Sequence, residues 1–347
     1  MPRSSPAPAR SFLRPEPQQT RRRRFIMSNL ARGLLVPVLI GTLMVPVIAQ
    51  EITIETMASP ALANDDNPQT EDLSYTLYLP AGYEAAGDTR YPVLYLLHGS
   101  GGEADAWEDF WPILDTMILE GTVPPVIAVA PVTGNSYWVD SATFGAAETA
   151  VIDDLIPHID QTLATIPERD GRALVGFSMG GFGAARYGLA YPDLFAAATL
   201  LSPALQQAQP PATAGAVSRG SFGDPYDPAR WDELNYPALI ETYAAQDHRV
   251  PFFIVAGDDD WNHLSEKEDL PGDATRYNME VQAVAFYTAL HRENIFDADF
   301  EKWEDVPASP AELRIVDGGH DMEVWGPGFS EGLAYMFANG LSAPTEN

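Results

Sequence analysis

The stretch Gly176-Phe177-Ser178-Met179-Gly180-Gly181 decides how this chain is read. Before it, Arg172 to Phe177 has strand character; after it, Gly180 to Leu189 is a small-residue segment of helical character. A strand that turns straight into a helix strains the backbone of the turning residue. It also crowds the positions two residues either side, hence glycine at 176 and 180. The turn lifts the Ser178 hydroxyl clear of the sheet at a helix N-terminus, and aims the Met179 amide at the place where an oxyanion forms. A glycine turn without chemistry has the same pentapeptide, so the flanking elements carry the inference.

Working outward, the segments alternate in type. Leu73 to Leu79 alternates like a strand, and Pro80 and Gly82 end it. Val93 to Leu97, Val126 to Ala130, Ala196 to Leu201, Phe252 to Ala256 and Leu313 to Val316 are short apolar runs, the pattern of strands covered on both faces. Between them lie helical patterns: Trp107 to Leu119, then Val151, Leu155, Ile159 and Leu163 with Pro157 as a candidate kink, then Val281 to Thr288, then Leu333 to Phe337. Apolar strands alternating with helices predict an α/β fold with a mainly parallel central sheet and helices on both faces. The reading is one catalytic domain over 71–343, preceded by a leading strand and loop over 51–70. Residues 203–249, rich in Pro, Gly and Gln, are expected to lie over the sheet as a loop or cap.

A serine hydroxyl needs a base to take its proton. His98, His158, His248, His263 and His291 are weaker candidates than His320, which follows a late strand in Asp317-Gly318-Gly319-His320. Loops after strand ends are where sites of open α/β sheets form. The acid that orients the imidazole is expected between serine and histidine, in Gly257-Asp258-Asp259-Asp260. Asp260 is preferred because the turn needs room beyond Gly257 before a side chain can reach back. Asp258 and Asp259 can equally be solvated loop residues.

Leu97-His98-Gly99-Ser100-Gly101-Gly102 ends an early strand. A second oxyanion donor is expected there, from the Ser100 amide, with Gly101 as the alternate and Met179 supplying the first. Losing one such donor typically costs about 3 kcal/mol of barrier. Trp107, Tyr137, Trp138 and Trp325 fall near the expected strand tops. They are candidates to line a substrate groove, against the equally ordinary reading that they are packing residues.

Several separated motifs carry a resemblance: Tyr78-Leu79-Pro80-Ala81-Gly82-Tyr83, Pro92 to Gly99, Gly176 to Gly183, Phe222-Gly223-Asp224-Pro225-Tyr226-Asp227-Pro228, and Gly318-Gly319-His320-Asp321 with Trp325. From about Thr76 to Trp325 the chain resembles the "putative esterase" family of the α/β-hydrolase fold, which includes feruloyl esterases, S-formylglutathione hydrolase and the mycobacterial mycolyltransferases. The resemblance implies ester hydrolysis or acyl transfer without metal or cofactor, and oxyanion donors at Ser100 and Met179. Several members carry leucine or isoleucine after the His-Gly pair. Serine at 100 departs from that, so substrate class is not carried over.

The chain has 347 residues, with 20 Lys+Arg against 49 Asp+Glu, a net charge of −29. Such a surface repels nucleic-acid phosphate and anionic lipid, which argues against both as partners. Cysteine is absent, which excludes disulfides, thiolate metal sites and a thiol nucleophile. Arg21 to Arg24 precede an apolar stretch from Leu34 to Ala49 that ends in a small residue. Basic region, apolar core and small-residue end are expected to form an export signal over 1–50. The stretch is short for a span of about 20 residues, and Pro37 and Pro46 interrupt it. Arg22-Arg23-Arg24-Phe25 faintly resembles a twin-arginine signal; a start at Met27 would remove it and leave Arg32 as the basic region.

These readings predict a periplasmic or secreted serine esterase, with Ser178, Asp260 and His320 as triad and a small-molecule or carbohydrate-linked ester as substrate. Acyl transfer to a sugar or lipid alcohol uses the same residues. A binding protein that has kept the fold is the alternative from another class. No His-Glu-x-x-His or paired-histidine spacing supports metal-dependent hydrolysis.

Overall fold

The structure is a computed structural model, and it describes residues 50–63, 72–210, 212, 214–260, 278–296 and 311–346. The expected export signal over 1–50 lies outside these residues except for Gln50.

Eight strands form one sheet: β1 (Glu51–Ala58), β2 (Asp72–Leu79), β3 (Val93–Leu97), β4 (Ile127–Pro131), β5 (Arg172–Phe177), β6 (Ala197–Leu201), β7 (Phe252–Gly257) and β8 (Ala311–Val316). Their order is β1-β2-β4-β3-β5-β6-β7-β8. β2 pairs antiparallel with β1 and β4, and every pair from β4 onward is parallel. β3 sits inside the sheet, with Val93 opposite both Ile127 and Arg172. All five of its residues are buried, which is why an unbroken apolar run was needed there.

Alternation along β3 divides the core into two layers. Val93, Tyr95 and Leu97 face one side, and Leu94 and Leu96 the other. The first side is covered by α2 (Ile156–Thr162), α3 (Met179–Ala190), α6 (Tyr236–Ala244) and α7 (Met279–Phe296), through Ile159, Phe182, Tyr243 and Phe286. The second is covered by α1 (Trp111–Leu119) and α8 (Met322–Ala338), through Leu114, Phe329 and Leu333. This is the expected mainly parallel sheet with helices on both faces.

Pro157 acts less as a kink than as a change of spacing. Ala150–Leu155 is π-helical, and Pro157 falls in the first turn of α2 behind it. Having no N–H, proline leaves a carbonyl of the preceding turn without its α-helical donor, and the wider spacing accommodates that loss.

Two segments differ from expectation. Residues 203–249, read as a loop or cap, contain three short helices: α4 (Gly215–Ser218), α5 (Pro228–Leu234) and α6. Local signals explain two of them. Asp227 caps α5 by accepting from the Ala229 amide, Asn235 caps α6, and each helix has proline in its first turn. The last helix begins at Met322, eleven positions before the periodic stretch at Leu333, because Asp321 caps it and Gly326, Pro327 and Gly328 interrupt its apolar pattern. Thr345–Glu346 pairs with Thr89–Arg90, so the folded unit runs past residue 343. Among the described residues no helix is long and apolar enough to cross a membrane.

Candidate active site

Ser178 stands between β5 and α3 with φ +55° and ψ −118°, in the positive-φ region that a residue with a side chain seldom occupies. Such strain costs on the order of 1–3 kcal/mol. Three backbone hydrogen bonds hold it. The Ser178 amide donates to the Leu201 carbonyl at 2.9 Å, and the Ser178 carbonyl accepts from Phe182 at 3.2 Å and Ala204 at 3.0 Å. At roughly 1 kcal/mol net each, these offset the strain. The flanking glycines are obligatory: a Cβ on Gly176 would lie 2.0 Å from the Gly180 oxygen, and one on Gly180 would lie 1.8 Å from the Leu97 oxygen.

β7 and β8 end side by side and bring the other two residues together. Asp260 is fully buried, and its carboxylate faces His320 Nδ1 at 2.9 Å and 3.2 Å. A carboxylate can only accept, so Nδ1 carries the proton and Nε2 is left as the basic nitrogen. The two neighbouring aspartates do other work. Asp258 is exposed and accepts from the Gly318 amide at 3.1 Å, and Asp259 is exposed, with its amide donating to the Gly318 carbonyl. Of the three, the structure places Asp260 against the imidazole. The rings of His320 and Trp325 meet nearly at right angles, with centres 4.9 Å apart.

The loop after β3 is held from below and from the side. His98 is buried beneath it: Nδ1 donates to the Gly99 carbonyl at 2.8 Å, and Nε2 accepts from the Thr133 amide at 3.3 Å. Burial pushes the His98 pKa down, so the ring is a neutral brace. Asn135, in the loop after β4, takes the Gly101 amide at 2.7 Å and the Ser100 hydroxyl at 3.1 Å on its Oδ1. Gly101 is thereby occupied, whereas the amides of Ser100 and Met179 donate to no other group among the described residues. The Ser100 hydroxyl, the departure from leucine or isoleucine, is tied to Asn135.

Ser178, His320, Ser100 and Gly99 share one pocket of about 380 Å³, walled also by Tyr137, Phe177 and Trp325 and covered by Ala204, Gly215, Ser218 and Arg219. Two expected groove residues are elsewhere. Trp107 is 1% exposed and packs on Phe110, Phe177 and Phe329 in the layer beneath α8. Trp138 has no exposure; its Nε1 donates to the His98 carbonyl at 3.2 Å, and its ring lies against His98. Both are core residues, corrected from the substrate-binding expectation: the aromatic layer around Phe177 and the buried His98 brace fill the space that a ligand would need. Trp325 does line the pocket, fixed by its Nε1 donating to Ser202 Oγ at 2.9 Å. Sequence reasoning passed over Asn135, Ser202 and Arg219. Asn135 had a signal, its position in a loop after a buried strand; Ser202, with φ +44°, and Arg219 had none.

A strained serine at a strand-to-helix turn, with a histidine and a buried carboxylate at the neighbouring strand ends, belongs to the α/β-hydrolase class. The chain itself is a member of the "Putative esterase" family, whose match spans residues 69–336. An esterase of Mycobacterium tuberculosis is 41% identical over 127 residues, covering 35% of this chain and 27% of that protein. An endo-1,4-beta-xylanase/feruloyl esterase of Xylanibacter ruminicola is 36% identical over 140 residues, covering 36% of this chain and 19% of that protein. The chain thus matches about a quarter or less of the length of these curated relatives. A solved ferulic acid esterase superposes with a TM-score of 0.60 at 22% identity, over 84% of this chain and 99% of that one, a likeness of fold.

Proposed function

We propose that this protein is an exported serine carboxylic-ester hydrolase that works through an acyl-enzyme. The observation that carries the reading is the pairing of His320 Nδ1 with the buried Asp260, in a pocket that also holds Ser178 at its strained turn. In the first step Ser178 Oγ bonds to the ester carbonyl carbon while His320 Nε2 takes its proton, and the Ser100 and Met179 amides receive the charge on the carbonyl oxygen. Collapse breaks the bond to the alcohol oxygen, which leaves with the proton from His320. Water then attacks the acyl-serine by the same route, giving the free acid and restoring Ser178. Asp260 keeps the imidazole in the correct tautomer and stabilises the imidazolium throughout.

The relatives named feruloyl esterase support carbohydrate-linked esters as the substrate class. The basic, apolar and small-residue pattern at the N-terminus supports export to the periplasm or beyond. The test is a panel of short p-nitrophenyl esters together with a fluorophosphonate probe. Turnover and one-to-one labelling at Ser178 are expected, both lost in Ser178→Ala with the fold retained. Turnover surviving in that variant removes the assignment.

A further inference from the structure

The pocket contains a cation that the proposed hydrolytic steps do not use. Arg219 closes α4 and folds back over its first turn, where a Cβ on Gly215 would lie 3.4 Å from Arg219 Nε, in ordinary contact. Its guanidinium bonds to Asn135 Oδ1. That oxygen also receives the Gly101 amide and the Ser100 hydroxyl, three donors on an atom with two lone pairs. Among the described residues, no carboxylate pairs with Arg219 and none lines the pocket. Arg219 is exposed and lines the pocket that also holds Ser178, so its guanidinium is open to an anion arriving from solvent. The Tyr137 hydroxyl reaches the same corner, 3.4 Å from the position of that Gly215 Cβ. Burial pushes its pKa up to about 12 against the pull of Arg219 and the Ala216 amide, so it remains a neutral donor.

A guanidinium short of anionic partners and a protonated phenol make a receptor for a carboxylate. We propose that the Ser178 pocket prefers esters that carry a carboxylate, received by Arg219 with Tyr137 beside it. This rests on the esterase reading and narrows it. The carboxylate has two chemical sources: the far end of a dicarboxylic acyl chain, or an acidic group on the alcohol, as in a uronate.

The test uses two isosteric pairs. For the acyl side these are p-nitrophenyl hydrogen glutarate and p-nitrophenyl glutaramate. For the alcohol side they are p-carboxyphenyl acetate and p-carbamoylphenyl acetate. Each rate is corrected for spontaneous hydrolysis. In at least one pair the wild-type protein is expected to favour the anion in kcat/KM by roughly tenfold, the scale of a charge-assisted contact partly screened by water. The pair that shows the preference names the source. In Arg219→Gln the preference should fall to about one, and in Arg219→Lys part of it should return. A general loosening of the loops would lower both members of a pair together and leave their ratio intact. A wild-type ratio near one in both pairs, or a preference that survives Arg219→Gln, overturns the proposal. If none of the four esters is hydrolysed and the fluorophosphonate does not label Ser178, the esterase reading itself has failed, and this inference with it.

Discussion

Asn135 Oδ1 lies 2.7 Å from the Gly101 amide nitrogen, so a side chain from the loop after β4 holds the loop after β3. This contact occupies the Gly101 amide and leaves the Ser100 amide as the donor proposed for the oxyanion. An amide donor that wanders loses most of its value, because preorganisation is what makes it effective.

Replacing Asn135 with alanine should therefore lower kcat by about 10- to 100-fold, part of what losing one oxyanion donor costs. The fold should persist, since Asn135 also holds Ser221 through its backbone carbonyl, which the substitution keeps. Steady-state kinetics on a short neutral ester, alongside a melting curve, check this. A large rise in KM with unchanged kcat would assign Asn135 to substrate binding instead.

The three consecutive aspartates should separate cleanly. Asp260→Asn removes the carboxylate that sets the His320 tautomer, and kcat should drop on the order of 10⁴-fold. Asp258→Asn and Asp259→Asn alter exposed residues and should stay within about threefold of the unchanged protein. Equal losses at all three would show that charge near the site matters more than the orienting hydrogen bond.

Gly180 and Gly101 should respond differently to alanine. At Gly180 the new methyl would lie 1.8 Å from the Leu97 backbone oxygen, and relief requires moving β3 or the turn itself. A loss of more than about 3 kcal/mol is expected in urea unfolding. At Gly101 there is open space, and only φ +78° opposes a side chain, so the cost should be about 1 kcal/mol. Similar midpoints for the two variants would contradict the steric account of the turn.

His98 predicts an acid-side loss of stability. Burial holds its folded pKa below the ordinary 6.5, against a smaller opposing effect from the Gly99 carbonyl. Over the interval between the two values the unfolded chain binds the extra proton, so stability rises with pH there. The contribution is intact above pH 6.5 and is lost as pH falls from there through the depressed folded value. The urea midpoint should drop across this window in the unchanged protein and drop less in His98→Asn, whose amide does not titrate. Parallel slopes would refute the assignment of His98 as a buried neutral brace.

Sequence patterns alone determined a good deal here. The unbroken apolar run from Val93 to Leu97 marked a strand covered on both faces, and the strand–Ser178–helix context marked the turn, because backbone sterics and burial periodicity act over a few residues. The caps at Asp227 and Asn235 were equally local, and attention to them would have revealed α5 and α6 in the 203–249 segment.

Tertiary structure alone decided which side chains meet. Trp107 and Trp325 are the same residue type in comparable positions, yet one lies under α8 and the other faces Ser178. Among Asp258, Asp259 and Asp260, the pairing of β7 with β8 selects the one that reaches His320. The same holds for Asn135 and Arg219, which are 84 residues apart and meet at a single oxygen. Such meetings depend on strand order and on the volumes of neighbouring side chains, and these arise from packing across the whole sheet, beyond the reach of any local pattern.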